Sequence, residues 1–267
     1  MTGPVRYDSA DGHRLAYYRF GPQGGAPTVL CHGLAAGAAQ FFADAERLAA
    51  EGRSVIVPDL RGHGASRGDI AALPASFTID IMQEDMARML AHAETGPVDW
   101  VGNSLGGILA LALASRRSEL FRTLALFGTA PALNLPRIAA TSLPFGYRLF
   151  GPGRIAHWTA LATTPSPAGR AIVRELLHGF DPHVGAAIAE NVRRYDLTHV
   201  AIALSMPVLI IRCGADRAVN WALDRAFSRL QENPNITRID LAGAGHCANL
   251  DRPKELYAAL NRFWRDR

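Results

Sequence analysis

Val101-Gly102-Asn103-Ser104-Leu105-Gly106-Gly107 lies between an apolar run at 98–101 and a helical stretch at 108–116. A serine on such a tight strand-to-helix turn sits in a strained backbone geometry. Its neighbours two positions away on either side must be small for the turn to close against the helix. Gly102 and Gly106 meet that need. The helix start also places the Leu105 N–H beside Ser104, where it can stabilise an oxyanion. Gly-x-Ser-x-Gly alone is a weak signal in a chain with 25 glycines, and the strand-before, helix-after context gives it weight. The competing reading is a phosphate-binding turn. However, no Gly-Lys-Ser/Thr triplet follows, and Gly-x-Gly-x-x-Gly is absent here.

Outward from this turn, short apolar runs recur at 28–31, 54–57, 123–127 and 208–211. Near-continuous runs of this kind belong to parallel strands covered on both faces by helices. Helical patterns separate them: 38–50, with Phe41, Phe42, Ala45 and Leu48, and 79–93, with Met82, Met86, Met89 and Leu90 as core fillers. A last helix after Pro253 aligns Leu256, Tyr257, Leu260, Phe263 and Trp264. The opening, 5–7 and 13–20 around Asp11-Gly12, reads as antiparallel β-structure. The fold class is therefore α/β, a mostly parallel doubly wound sheet. The alternation breaks between Pro131 and about Met206, where seven prolines accompany an apolar composition and no convincing strand. A helical insertion folded over the sheet fits this stretch better than a linker, which would be polar.

A serine nucleophile needs a base, and the base needs an orienting group. Asp216 follows the run ending Cys213-Gly214-Ala215, and His246 follows Leu241-Ala242-Gly243-Ala244-Gly245. Both leave strand carboxyl ends on the edge that carries Ser104, where such sheets place ligands. His63, in a Gly-flanked loop, is the rival base, but the order Ser–Asp–His disfavours it. The other histidines fall in the opening β-structure, on helices or in the insertion, and Asp240 and Glu232 read as structural.

Composition narrows the class. With 49% apolar and 19% charged residues, the 267-residue chain reads as a globular enzyme. The net charge of +4 comes from scattered arginines, among them the tail Arg262, Arg265 and Arg267, with no basic run interleaved with aromatics. Nucleic acid is not an expected partner. The longest apolar stretch, 101–114, is too short to span a bilayer and is broken by Asn103 and Ser104, so stable membrane insertion is not expected. Residues 1–10 show no secretory pattern. Cys31, Cys213 and Cys247 lack metal-type spacing and cannot all pair, which points to a reducing, cytoplasmic home. No metal or organic cofactor is expected, and the sequence sets no oligomeric state.

Cys31-His32-Gly33-Leu34, Asp59-Leu60-Arg61-Gly62-His63-Gly64-Ala65-Ser66, the Ser104 turn, Gly214-Ala215-Asp216 and Gly245-His246 together resemble the α/β-hydrolase fold family, in its order, from about Leu15 to Trp264. The resemblance implies an eight-stranded sheet formed by 1–130 and 206–267, with a helical cap at 131–205. It implies Leu34 as the second oxyanion N–H donor beside Leu105, and His32 as a brace for the oxyanion loop. It likewise implies that 59–66 is a structural loop on the catalytic edge. Ser104 where other branches carry aspartate makes epoxide hydrolase and dehalogenase chemistry unlike this chain. A single Gly after His32 separates it from the hormone-sensitive-lipase branch. Asn103 is similar to some carbon–carbon bond hydrolases, although Cys247 stands where many of those carry Trp.

The expected reaction is acyl transfer to water through Ser104, His246 and Asp216, on a small to medium hydrophobic ester or lactone. Phe145, Phe150, Trp158 and Phe180 are expected to roof its pocket. A carbon–carbon bond hydrolase of ring-fission-type diketones, an acyltransferase or perhydrolase, and a non-catalytic receptor are the alternatives. Cys247, beside His246, is a candidate pocket thiol.

Overall fold

The computed structural model describes residues 3–265, without the side chains of 139–141. Met1, Thr2, Asp266 and Arg267, and with them the tail arginine and the outer limits of the expected core, lie outside the described residues. The main strands are β1 (Val5–Asp8), β2 (Arg14–Phe20), β3 (Pro27–Cys31), β4 (Ser54–Asp59), β5 (Val98–Asn103) and β6 (Phe121–Phe127). After β7 (Ala132–Asn134) and β8 (Arg194–Asp196) come β9 (Val208–Cys213) and β10 (Ile236–Leu241). Eight of them form one sheet in the order β1-β2-β4-β3-β5-β6-β9-β10. Only β2 runs against its neighbours; the other pairs are parallel. The eight-stranded, mostly parallel sheet expected from the sequence is the observed one.

Alternate side chains of the central strands supply two cores. Val29 and Cys31 of β3 and Trp100 of β5 pack with Met82, Met86 and Met89 of α2 (Ile79–Ala93), Leu109 of α3 (Leu105–Ala114) and Leu223 of α9 (Arg217–Leu230). Leu30 and Val101 face the other way. They join Leu48 of α1 (Phe42–Ala50) and Leu256, Leu260 and Phe263 of α10 (Pro253–Arg265). Burial on both faces explains why these strands read as unbroken apolar runs. Helix α3 is buried along its whole length, which is why it is apolar all round and lacks an amphipathic stripe. It begins at Leu105, three residues before the apolar pattern suggests, because Gly106 and Gly107 belong to its first turn. The helical pattern at 38–50 divides into a 3₁₀ turn, Ala38–Phe41, and α1. The Asp59 carboxylate takes the Ala38 N–H, and the Gln40 N–H bonds to Gly37 O, tightening this entry.

Between β6 and β9 the chain forms α4 (Ile138–Phe150), α5 (Pro152–Thr163), α6 (Pro167–Leu177), α7 (Pro182–Val192) and α8 (Thr198–Ala203). The expectation of no strand here is corrected. β7 and β8 pair antiparallel at the point where the chain leaves and rejoins the sheet. Three residues each are too few to display a period-two pattern, and the pairing is extended by Leu135 N–H to Arg193 O and Leu197 N–H to Pro131 O.

The loop after β4 ties the N-terminal hairpin to α2. Arg61, 1% exposed, donates from Nε and Nη2 to Asp85 and from Nη1 and Nη2 to Asp11, at 2.7–2.8 Å. Asp85 is itself buried. Removing the cation strands that carboxylate, so Arg61→Met is expected to cost about 3–5 kcal/mol in urea unfolding. A loss below about 1 kcal/mol, the range of an exposed pair, contradicts this account.

Candidate active site

Ser104 joins β5 to α3 with φ +51° and ψ −114°, a conformation costing on the order of 1–3 kcal/mol in a residue with a side chain. Its surroundings hold it there. Its N–H donates to Phe127 O at 3.0 Å, and its carbonyl accepts from Gly107 N, Ile108 N and Thr129 Oγ1. A Cβ at Gly102 would lie 2.7 Å from Gly106 O, and one at Gly106 would lie 2.3 Å from Cys31 O. The turn therefore closes only around glycine, as its spacing requires.

Asp216 follows β9 and caps α9; it is buried and accepts from Val219 N through Oδ1. His246 follows β10, and its Nδ1 meets Asp216 Oδ2 at 2.7 Å. This places the ring proton on Nδ1 and leaves Nε2 as an acceptor. Asn103 Nδ2 donates to His246 O at 2.9 Å and to Phe127 O at 3.2 Å, tying the histidine loop to the residue before Ser104. The structure thus joins His246 to Asp216 directly. Among the described residues, Ser104 Oγ and His246 Nε2 have no protein hydrogen-bond partner, so Ser104 is brought to the same edge without a direct bond to the histidine. Such bonds commonly tighten only when substrate is bound.

Gly33 and Leu34 pass beside the serine; a Cβ on Gly33 would come 3.1 Å from Ser104 Cβ. Among the described residues, neither the Leu34 nor the Leu105 N–H is given to a protein acceptor. Ala35 takes φ +59°, and its N–H donates to His63 Nε2 at 3.1 Å. His63 returns its Nδ1 proton to Arg61 O, and Phe180 stacks on the ring. His32 repeats this logic, with Nδ1 donating to Gly33 O at 2.7 Å and Nε2 accepting from Leu60 N at 3.0 Å. Both imidazoles are fully buried, and burial pushes them down to about 4 for His32 and about 3 for His63. His63 is thus fully committed to the loop that carries Leu34, which removes it as a rival base. Asp59 adds a third brace by accepting from Ala38 N and Ala65 N.

A cavity of about 50 Å³ opens among Gly33, Leu34, Asn103, His246, Thr163 and Leu177, with Gln40 and Cys247 also in its wall. Its upper wall comes from Thr159 and Thr163 of α5 and Val173, Leu176 and Leu177 of α6. The expected aromatic roof is corrected. Phe145, Phe150 and Trp158 are 66%, 42% and 47% exposed, and Phe180 is buried against His63. On α5 the face carrying Trp158 points outward, while Thr159 and Thr163 point to the cavity. Cys247 does reach the cavity, but burial pushes its thiol up to about 12, so it is protonated at neutral pH and a poor nucleophile.

Sequence reasoning missed one group altogether. Gln40 Nε2 donates to Asn103 Oδ1 and Asn249 Oδ1, and Asn249 Nδ2 donates to Gln40 O and Asp44 Oδ2. A lone glutamine between Ala38 and Phe41 in an apolar stretch was the available signal. Among the described residues, no group of three or more His, Cys, Asp or Glu is placed to hold a metal, and no helix is long and apolar enough to cross a membrane.

The sheet, the glycine-closed serine turn and the histidine–carboxylate pair at neighbouring strand ends define the α/β-hydrolase class. The sequence profile of the alpha/beta hydrolase family matches residues 28–260, and the chain belongs to that family. It is 30% identical over 253 residues to a pimeloyl-[acyl-carrier protein] methyl ester esterase from Xanthomonas oryzae pv. oryzae, covering 90% of this chain and 95% of that one. A thermophilic esterase from Thermogutta terrifontis superposes with a TM-score of 0.85 at 25% identity, covering 99% of both chains. An enol-lactonase from Burkholderia xenovorans LB400 shares the fold at a TM-score of 0.85 and 21% identity, over 98% of this chain and 100% of that one. With such relatives the protein is a hydrolase.

The buried neutral imidazoles carry a pH signature. The unfolded chain protonates both near the ordinary 6.5, whereas the native rings resist protonation until about pH 4 and below. Their contribution is complete above about pH 6.5 and is lost as pH falls, with a limiting slope of about 2.7 kcal/mol per unit for two protons. Urea unfolding of wild type against His63→Gln is expected to show about half that slope removed between roughly pH 6.5 and 5. Parallel curves contradict it.

Proposed function

We propose that this protein is a serine hydrolase of carboxylic esters or lactones, working through an acyl-enzyme on Ser104. The carrying observation is the pair of amide groups, Leu105 N–H next to the strained serine and Leu34 N–H after Gly33, which passes beside it, neither with a protein acceptor among the described residues. Ser104 Oγ attacks the carbonyl carbon while His246 Nε2 takes its proton. The two amides hold the oxyanion as it forms, and Asp216 keeps the imidazole in the required tautomer and stabilises the imidazolium. His246 then passes the proton to the leaving alkoxide and activates water to release the acid. Acyl transfer to water on this set needs neither a metal nor an organic cofactor.

In this reading, residues 131–205 act as the cap over the core of 1–130 and 206–267, and α5 and α6 limit the acyl group. A cavity of about 50 Å³ beside His246 favours the small end of the ester range. Three free, buried cysteines suit a reducing, cytoplasmic setting.

Ser104→Ala tests the assignment. Turnover of an activated short-chain ester is expected to fall about 10⁴-fold or more with the fold intact by circular dichroism. A loss under about tenfold contradicts it.

A further inference from the structure

Of the ten large apolar side chains that stand exposed among the described residues, eight lie between Leu135 and Ile172, so the excess belongs to the helical insertion and not to the sheet. Six of them lie on two consecutive helices. Ile138, Phe145 and Leu149 recur at helical spacing along α4, which sets them on one face, and Trp158 and Leu161 do the same on α5. The Phe150 and Trp158 rings meet edge to face at 5.1 Å, which joins the two surfaces. All six side chains are between 42% and 72% exposed. Together they approach or exceed the roughly 300–600 Å² of the largest apolar patch on an ordinary monomer.

Charge on this surface has a single sign. After Glu119 the next acid in the chain is Glu175, so α4 and α5 carry no carboxylate. Arg148, beside Leu149, and Arg154, one turn before Trp158, are exposed, and among the described residues neither has a carboxylate partner. Glu190 of α7, the helix that α4 packs against, is held by Arg137 and Arg193.

We propose that this face of α4 and α5 adsorbs to an anionic lipid bilayer, lying in the headgroup plane without spanning it. Apolar side chains, an exposed tryptophan and arginines on acid-free helices match the composition of an interfacial surface, and each arginine near an anionic membrane adds attraction. A second copy of this chain is a poorer occupant, because a two-fold contact through this face would bring two sets of arginines together with no carboxylate between them. The two faces of α5 then have separate tasks. Trp158 and Leu161 rest on lipid, while Thr159 and Thr163 line the cavity beside His246. Adsorption itself does not rest on the ester-hydrolase reading; together the two place the cavity where membrane-dissolved esters are.

The test is sedimentation of the full chain with vesicles of equimolar phosphatidylcholine and phosphatidylglycerol, and with vesicles of phosphatidylcholine alone. Wild type is expected to partition onto the anionic vesicles about tenfold or more strongly than onto the neutral ones. The double variant Phe145→Ser, Trp158→Ser is expected to lower anionic binding about tenfold or more, and Arg148→Gln, Arg154→Gln by a similar factor. Trp221→Ser, at the exposed tryptophan of α9, is expected to bind as wild type does. All five substituted side chains are exposed, and circular dichroism checks that each variant keeps its fold; the arginine variant reads the same face if the apolar one does not fold. Absence of binding to either vesicle, equal binding to both, or anionic binding that both double variants keep overturns the proposal. A loss in Trp221→Ser as large as in the double variants would report non-specific adsorption and overturns it too. So does a dimer, seen by size exclusion with light scattering, that Phe145→Ser, Trp158→Ser dissociates, since that would give the face to a second copy.

Discussion

The left-handed backbone at Ser104 is the constraint on which the rest of the site depends. A side chain at φ +51° is unfavourable, and the fold commits a row of close contacts to keep it. β5 delivers the residue, Phe127 O and Thr129 Oγ1 hold its amide and carbonyl, and α3 begins immediately behind it with Gly106 against Cys31 and Gly107 against Thr129. Turning the serine this way puts Leu105 at the helix start, where its N–H has no protein acceptor among the described residues. It also brings Gly33 so near the serine that a Cβ there would lie 3.1 Å from Ser104 Cβ. In the proposed mechanism, this backbone turn places the attacking oxygen beside the Leu105 donor.

What keeps Leu34 in place is a set of buried groups that must stay in one protonation state. His32 and His63 each accept one backbone N–H and donate to one carbonyl, which only the neutral ring with its proton on Nδ1 can do. A second proton on His63 would face Ala35 N–H with another donor. The loop carrying Asp59 and Arg61 thus serves the active edge from behind. Asp59 fixes the turn after Leu34, Arg61 fixes the loop itself, and neither is among the residues lining the cavity.

The sheet and the placement of Ser104, Asp216 and His246 at strand ends were legible because each depends on a local pattern. The buried strands are unbroken apolar runs, and Ser104, Asp216 and His246 each follow a strand end with glycine nearby. The β7–β8 ribbon was not legible, since three residues cannot show a period. The outward face of Trp158 was misread, because an apolar helix does not say which side covers the cavity. Gln40 was invisible for another reason: its importance lies in contacts with Asn103 and Asn249, which are 63 and 209 residues away in the chain.

The central claim is that Ser104 is the nucleophile, and covalent labelling reads this without choosing a substrate. After treatment with a fluorophosphonate, peptide mass spectrometry is predicted to find the phosphonyl group on Ser104 alone, with labelling slowed when Asp216 is replaced by asparagine. Unlabelled protein, or a phosphonyl group on a different residue, would contradict the account.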